Sequence, residues 1–201
     1  MLDWSGCGAY RDLGGTPTAD GRVIRAGALL RSDSQHGLTA ATVRAIRDGA
    51  VARVVDLRWA RECEQFPSPF LGHAIYRHVP MLNDVLDYEP PPDSYAPMLD
   101  RNAARIAQAF AAVADAPPGP VVVHCKAGRD RTGVLVALLL KVAGVADDVI
   151  AADYARTAPG VAATMINTLN HLRARYGGAE PYLLASGVEE RQLTAVRQRL
   201  V

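Results

Sequence analysis

The chain has 201 residues, of which 49% are hydrophobic and 21% are charged, and its 22 basic side chains nearly balance 21 acidic ones. These values indicate a globular protein of one domain spanning residues 1–201, and they exclude a disordered chain. The net charge of +1 argues against a dedicated nucleic-acid binder or a membrane-surface protein.

The cysteine content and the hydropathy of the sequence indicate in which cellular compartment the protein is expected. Cys7, Cys63 and Cys125 lack the paired spacing of a zinc site, and their odd number argues against a disulfide framework. The first residues show no basic segment followed by an apolar core, so no signal peptide is expected. The longest apolar run, residues 134–140, is too short to cross a bilayer. We therefore expect a protein of the reducing cytoplasm, without an integral membrane segment, a bound metal or a cofactor.

Apolar or β-branched runs bounded by turn residues predict four strands in the first half of the chain. They span residues 22–26, 29–31, 51–57 and 75–79. The first two are expected to form a hairpin around Gly27 at the edge of the sheet. Before the third strand, Thr39 is expected to cap a helix that carries Val43 and Ile46 on its apolar face.

Residues 80–98 form the one long irregular stretch of the sequence, rich in proline and placed between core elements. Because long loops of this kind are usually functional, we expect an active-site lid here. A helix with Ile106 and Phe110 on its apolar face follows, and Asp100 is its expected cap.

The remaining residues predict one buried strand, residues 121–124, and a helical C-terminal third. Helices are predicted from apolar spacing over residues 134–143, from residue 147, over 161–176 and after residue 189. The last is expected to open on a capping box that runs from Ser186 to Glu189. Strands that alternate with helices predict an α/β fold with a central, mostly parallel sheet flanked by helices.

One stretch, Val-Val-Val-His-Cys-Lys-Ala-Gly-Arg-Asp-Arg-Thr-Gly at residues 121–133, carries the strongest functional signal. A strand, a tight loop and a helix amino terminus is a typical anion-binding arrangement, because loop N–H groups and the helix dipole both attract negative charge. Cys125 at the mouth of such a loop, beside basic side chains, is expected to be a thiolate at neutral pH. We call residues 125–131 the Cys125 loop.

Cys125 and Arg131 are separated by five residues, and Thr132 follows directly. This pattern resembles the phosphate-binding loop of the cysteine-dependent tyrosine and dual-specificity phosphatases. It is most similar to the atypical bacterial tyrosine phosphatases, whose loop is His-Cys-x-x-Gly-Lys-Asp-Arg-Thr-Gly, with Arg129 here in place of the usual lysine. Together with Lys126, a basic residue at 129 also resembles the loops of phosphoinositide 3-phosphatases. Shorter strings resemble the same bacterial family: Arg-Asp-Leu-Gly-Gly at 11–15, Leu-Arg-Ser-Asp at 30–33 and Asp-Tyr at 153–154.

The resemblance implies a tyrosine-phosphatase-like fold and a metal-independent phosphatase that forms a phosphocysteine on Cys125. Arg131 would bind two phosphoryl oxygens in a bidentate fashion. The other expected phosphate-binding positions are Lys126, Ala127, Gly128, Arg129 and Thr132. Gly128 is expected to allow a turn with positive φ, and the Thr132 hydroxyl to hydrogen-bond the thiolate. Gly133 is expected to let the start of the helix pack against the loop.

An aspartate should serve as the general acid that protonates the leaving group. The resemblance favours Asp130, inside the loop, with Asp84 and Asp87 in the predicted lid as alternatives. Asp56 and Arg58, at the end of the third strand, are expected either to support the loop or to form an ordinary ion pair. His124 is expected to order the loop by a hydrogen bond, or simply to fill the end of its strand.

Other kinds of loop match this stretch less well. A nucleotide-binding loop requires Gly-x-x-x-x-Gly-Lys followed by Ser or Thr, which this stretch lacks. A rhodanese-like loop does not require Arg131, and an inert buried cysteine would not explain the spacing. A phospho-ligand binding module without turnover stays open as the alternative to an enzyme. The expected substrates are phosphotyrosine proteins, with phosphoserine or phosphoinositides as further possibilities.

Overall fold

The computed structural model describes residues 3–84, 93–157 and 162–201. Five strands in these ranges form one sheet in the order β1-β2-β5-β3-β4. Strand β1 runs antiparallel to β2, and the other pairs are parallel. The strands are β1 Arg11–Asp12, β2 Leu29–Ser32, β3 Arg53–Asp56, β4 Tyr76–His78 and β5 Val121–His124. The predicted α/β class with a mostly parallel sheet is confirmed.

Nine α-helices lie in the described ranges. Their bounds are α1 Ala40–Ala45, α2 Ala60–Gln65, α3 Ala96–Arg101, α4 Ala103–Ala114, α5 Asp130–Val142, α6 Asp147–Ala155, α7 Ala162–Tyr176, α8 Ala179–Ala185 and α9 Glu190–Leu200. None of these helices has both the length and the hydropathy that a membrane crossing requires. Thr39 caps α1 as predicted, because its hydroxyl accepts from the Thr42 N–H at 3.2 Å.

The sheet separates two apolar cores. Val121 and Val123 of β5 face the larger core, which contains side chains of α4, α5 and α9. Val122 faces the smaller core, together with Trp4 and Ile46 from the amino-terminal third. This alternation follows from the two-residue period of a strand. A strand buried on both faces is therefore apolar at every position until it reaches His124.

Three predictions about local structure were wrong: one hairpin and two helix caps. Residues 22–26 form only an isolated bridge between Pro17 and Val23, and β2 lies inside the sheet between β1 and β5. Asp100 lies within α3 and accepts from two side chains of α7, so it does not cap α4. Ser186 ends α8, and the capping box of α9 is formed by Glu189 and Gln192. The pairing of β2 with β5 and the contacts of Asp100 with α7 are tertiary interactions that the local motifs do not contain. At α9, Glu189 is the residue next to the helix and caps it in place of Ser186.

The predicted lid, residues 80–98, is described only at its two ends. At one end, the Asn83 carbonyl accepts from the Trp59 indole N–H at 3.1 Å. At the other, the Tyr95 N–H donates to the Thr168 hydroxyl of α7 at 2.8 Å. Asp87 lies outside the described residues, and so does Val161, the first residue of the predicted helix 161–176.

Candidate active site

The carboxyl ends of three parallel strands meet at one edge of the sheet. Ser32 of β2 and Asp56 of β3 are both in register with His124 of β5. The Cys125 loop follows β5 directly, and α5 begins inside the loop at Asp130. This is the edge at which open α/β sheets place ligands, because the loops after the strands converge there.

Two carbonyl groups of the Cys125 loop accept hydrogen bonds from residues outside the loop. The Ser34 N–H donates to the Lys126 carbonyl at 3.0 Å, and an Arg31 Nη donates to the Gly128 carbonyl at 2.9 Å. The N–H groups of residues 126–129, in contrast, have no acceptor among the described residues. Because the C=O and N–H of a trans peptide point in opposite directions, fixing these two carbonyls also fixes the direction of the N–H groups of Ala127 and Arg129. The arrangement is a row of free donors.

Arg31 is fully buried and holds the loop to helix α6. Its second Nη donates to Asp153 at 2.9 Å, and Asp153 also accepts from Arg11 Nε at 2.8 Å. Arg11, Arg31 and Asp153 belong to the three short strings that resembled the bacterial phosphatases. The three short sequence motifs therefore meet in one hydrogen-bonded network. Arg31 lies at the centre of this network and connects it to the Gly128 carbonyl.

Gly128 has the predicted geometry, whereas Gly133 has a different neighbour from the one expected. Gly128 has φ of +65°, and a Cβ there would lie 2.6 Å from the Ser32 carbonyl oxygen. Any side chain at 128 would therefore clash with β2. A Cβ at Gly133 would lie 2.9 Å from the Tyr154 ring. Gly133 thus permits close packing of α5 against α6, where packing against the loop was expected.

Asp56, Arg58 and His124 form a buried group beneath the loop. Arg58 donates to Asp56 at 2.6 Å and to the Ser34 hydroxyl at 3.1 Å, so the ion pair also reaches the residue that holds the Lys126 carbonyl. His124 Nε2 lies 3.6 Å from Asp56, and its Nδ1 lies 3.3 Å from the Cys125 carbonyl oxygen. Burial lowers the pKa of His124. Burial by itself would raise the pKa of Asp56, but His124 and Arg58 outweigh it, and the pKa stays below its ordinary value.

Arg131 is oriented by a residue that sequence reasoning missed. Glu62 of α2 accepts from both of its Nη atoms, at 2.6 and 3.0 Å, and also from the Trp59 N–H at 2.9 Å. The Arg131 guanidinium lies 4.5 Å from the centre of the Trp59 ring. A glutamate at the third position of a short helix was the available signal, because that position closes a capping box.

The candidate acids are in different environments. Asp130 accepts from the Tyr95 hydroxyl and, at 3.0 Å, from Arg129 Nε. Asp84 pairs with Arg61 on the rim and is more than half exposed. Tyr95 was not singled out from the sequence, since nothing local connects it to Asp130.

A cleft of about 360 Å³ is lined by Trp59, Arg61, Glu62, Gln65 and Lys126. Cys125 itself is buried, with 2% of its surface exposed. The Thr132 hydroxyl has no hydrogen-bond partner among the described residues, so the expected bond to the Cys125 sulfur is not formed. The described part of the site is therefore dominated by donors and positive charge.

Residues 2–164 match a family model described as the tyrosine phosphatase family. The chain belongs to this family. As a member of the tyrosine phosphatase family it is a phosphatase, and its substrates are phosphorylated molecules.

Similarity to individual proteins of the family is moderate. A tyrosine-protein phosphatase of Nostoc commune is 28% identical over an alignment of 229 positions, gaps included. The alignment covers 92% of this chain and 78% of the relative. A triple specificity protein phosphatase, PtpB, of Mycobacterium tuberculosis is 45% identical over 65 residues, which cover 32% of this chain and 24% of the relative. The crystal structure of the core catalytic domain of the PP-IP phosphatase SIW14 from S. cerevisiae aligns with a TM-score of 0.47 and 19% identity, over 75% of this chain and 83% of that one.

Proposed function

We propose that residues 1–201 act as one metal-independent phosphomonoester hydrolase, with Cys125 as nucleophile and a phosphocysteine as intermediate. Protein phosphotyrosine is the proposed main substrate, with phosphoserine and phosphoinositides as further substrates. The free N–H groups of residues 126–129 carry this proposal, because they are unpaired donors, two of them with a fixed direction, that a phosphoryl group would satisfy.

In the first proposed step, the Cys125 thiolate attacks phosphorus in line with the leaving oxygen. The sulfur–phosphorus bond forms as the phosphorus–oxygen bond breaks, and Asp130 transfers its proton to the departing oxygen. Arg131 spans two phosphoryl oxygens and neutralises the charge that develops on them. Its paired contacts with Glu62 hold the guanidinium plane before the substrate arrives, which reduces the entropic cost of binding.

In the second proposed step, a water molecule loses its proton to Asp130 and attacks the phosphocysteine. Inorganic phosphate leaves, and the thiolate is restored. Thr132 is available to donate to the departing sulfur, because its buried hydroxyl is otherwise unbonded among the described residues. Asp130 thus returns to its protonated form, and the cycle closes.

Hydrolysis of p-nitrophenyl phosphate tests the proposal. We expect activity that resists chelators, is abolished in Cys125→Ser, and is retained in Cys63→Ser as the matched control. Acid quenching during turnover should leave phosphate bound to Cys125, as detected by peptide mass spectrometry. Full activity in Cys125→Ser would exclude the proposed nucleophile.

The alternative function is a phospho-ligand binding module. Such a module would need the loop N–H groups and Arg131, but it would not need Cys125. If the unaltered chain binds phosphopeptides with the same affinity as Cys125→Ser and releases no phosphate, the binding function is the correct one.

Phosphoinositide activity is proposed on a separate observation. Lys126 is exposed at the loop and forms no ion pair within the described ranges, so it is available to a second phosphate group. The name of the M. tuberculosis relative, a triple specificity phosphatase, is consistent with a broad substrate range. We expect Lys126→Ala to reduce phosphoinositide hydrolysis more than phosphotyrosine-peptide hydrolysis. Equal losses on both substrates would argue against a role in lipid selection.

A further inference from the structure

The two oxygens of the Asp130 carboxylate have different environments. Oδ1 accepts from both the Tyr95 hydroxyl and Arg129 Nε, the latter at 3.0 Å. Oδ2 has no hydrogen-bond partner among the described residues and is not a buried unsatisfied atom. One oxygen is therefore held and the other is available, on a side chain that is 17% exposed at the start of α5.

Tyr95 is fixed at both its main chain and its side chain. It is 2% exposed, and its N–H donates to the Thr168 hydroxyl at 2.8 Å, which in turn donates to the Thr164 carbonyl at 2.7 Å. Its ring packs edge-on against Tyr154, with the ring centres 6.1 Å apart. Tyr95 is thus anchored on α7 and α6, and it reaches α5 through Asp130.

The hydroxyl protons in this cluster have one consistent order. The Tyr95 hydroxyl has one proton, which goes to Asp130 Oδ1, so the 2.7 Å contact with Tyr154 requires the Tyr154 hydroxyl to be the donor. Burial raises the pKa of Tyr95 and of Tyr154, and both hydroxyls keep their protons at neutral pH. The chain of donation runs from Tyr154 to Tyr95 to Asp130.

We infer that Tyr95 is a positioning residue for Asp130, which holds Oδ1 so that the catalytic proton resides on Oδ2. This inference rests on the proposed function, in which Asp130 is the general acid and base. A proton on Oδ1 would lose the donation from Tyr95, so protonation is confined to the other oxygen. Oδ2 then delivers its proton to the leaving oxygen in the first step and receives a proton from water in the second.

Leaving groups of different acidity provide the test. Phenyl phosphate needs a proton donor to leave, whereas 2,4-dinitrophenyl phosphate departs without one. We compare kcat/KM, which reports the first step, because both esters share the hydrolysis of the phosphocysteine. We expect Asp130→Asn to lower kcat/KM for phenyl phosphate about 100-fold and to change kcat/KM for the dinitrophenyl ester little. Tyr95→Phe should lower kcat/KM for phenyl phosphate about tenfold and leave kcat/KM for the dinitrophenyl ester little changed.

A pH profile separates positioning from a general loss of structure. The titratable and charged groups around Asp130 are Tyr95, Tyr154, Arg129 and Arg131. Because Tyr95 donates to the carboxylate form, Tyr95→Phe should shift the alkaline limb of the phenyl phosphate profile to higher pH. The matched control is Tyr182→Phe, which removes a buried hydroxyl that donates to the Leu99 carbonyl and not to Asp130, and it should change neither profile.

The outcomes distinguish this inference from the proposed function. If Asp130→Asn lowers kcat/KM equally for both esters, the proposed acid is wrong. A second outcome is that Asp130→Asn discriminates between the esters, while Tyr95→Phe does not and keeps the pH profile of the unaltered protein. In that case positioning by Tyr95 is overturned and the proposed function stands. If Tyr95→Phe does not fold, Tyr154→Phe takes its place, with a smaller shift in the same direction expected and an unchanged profile overturning the inference.

Discussion

The fully buried guanidinium of Arg31 donates to the carbonyl oxygen of Gly128 at 2.9 Å, across 97 positions of the sequence. The contact fixes the orientation of a peptide in the Cys125 loop and thereby the direction of the following N–H group. It connects a core arginine of the sheet with the geometry of the anion site.

Arg31→Met should destabilise the protein and weaken phosphate binding together. The change leaves the Gly128 carbonyl without its donor and Asp153 with only Arg11, so we expect a loss of about 3 kcal/mol in the free energy of unfolding. Urea denaturation measures this loss, and inhibition by phosphate measures the binding. Arg22→Met, which removes an exposed pair with Asp20, should alter neither quantity. Equal effects of the two substitutions would contradict the role of Arg31.

Glu62→Gln should lower kcat/KM for aryl phosphates by about tenfold to 100-fold. The amide offers one acceptor where the carboxylate offers two, so Arg131 loses its paired contacts at 2.6 and 3.0 Å and the fixed plane of its guanidinium. Glu64→Gln, an exposed position on the same helix, is the matched control and should keep full activity. An unchanged kcat/KM in Glu62→Gln would show that Arg131 is oriented by substrate alone.

Iodoacetate at neutral pH should alkylate Cys125 selectively. Burial raises the pKa of Cys63 to about 11 and that of Cys7 to about 12, so both thiols stay protonated and react slowly. Cys125 is proposed to react as a thiolate, and inorganic phosphate should protect it. Peptide mass spectrometry identifies the labelled residue. Labelling of Cys63 at the rate of Cys125 would contradict the assignment.

Acid should remove a stabilising contribution of Asp56. Its folded pKa lies below the unfolded value of about 3.9, so the contribution is fully present above that value and is lost as the pH falls towards the folded pKa. We expect the free energy of unfolding to decrease between about pH 5 and pH 2, and Asp56→Asn to flatten that decrease. Parallel pH profiles for the two proteins would show that other carboxylates dominate acid unfolding.

Arg53→Met should stabilise the protein by about 1 kcal/mol. Arg53 is 8% exposed, and its side chain has no hydrogen-bond or ion-pair partner within the described ranges. Its buried Nε is left without an acceptor in these ranges, so the burial of this atom is uncompensated. Burial, together with Arg77 and Arg199, lowers the pKa of its guanidinium. Methionine retains the length of the side chain and removes the charge. A lower midpoint of urea denaturation in Arg53→Met would mean that the charge has a favourable partner.

Local patterns in the sequence were enough to predict the elements on which the site stands. The run from Val121 to Val123 has the composition of a strand buried on both faces, and the structure contains that strand and the helix after the loop. Gly128 has the predicted positive φ. These properties depend on steric limits and burial within a few residues, which is the range that periodicity and composition report.

The partners of the site residues were decided by tertiary structure. Glu62 and Arg131 are 69 positions apart, Tyr95 and Asp130 are 35 apart, and Arg31 and Asp153 are 122 apart. A contact between distant positions produces no periodic signal, because it depends on how the elements pack. Packing also overturned the expected cap at Asp100, whose carboxylate is bound by α7. The sequence by itself thus determined the strand, the loop and the helix start at which an anion is proposed to bind. Only the folded chain determined which side chains contact Arg131 and Asp130 there.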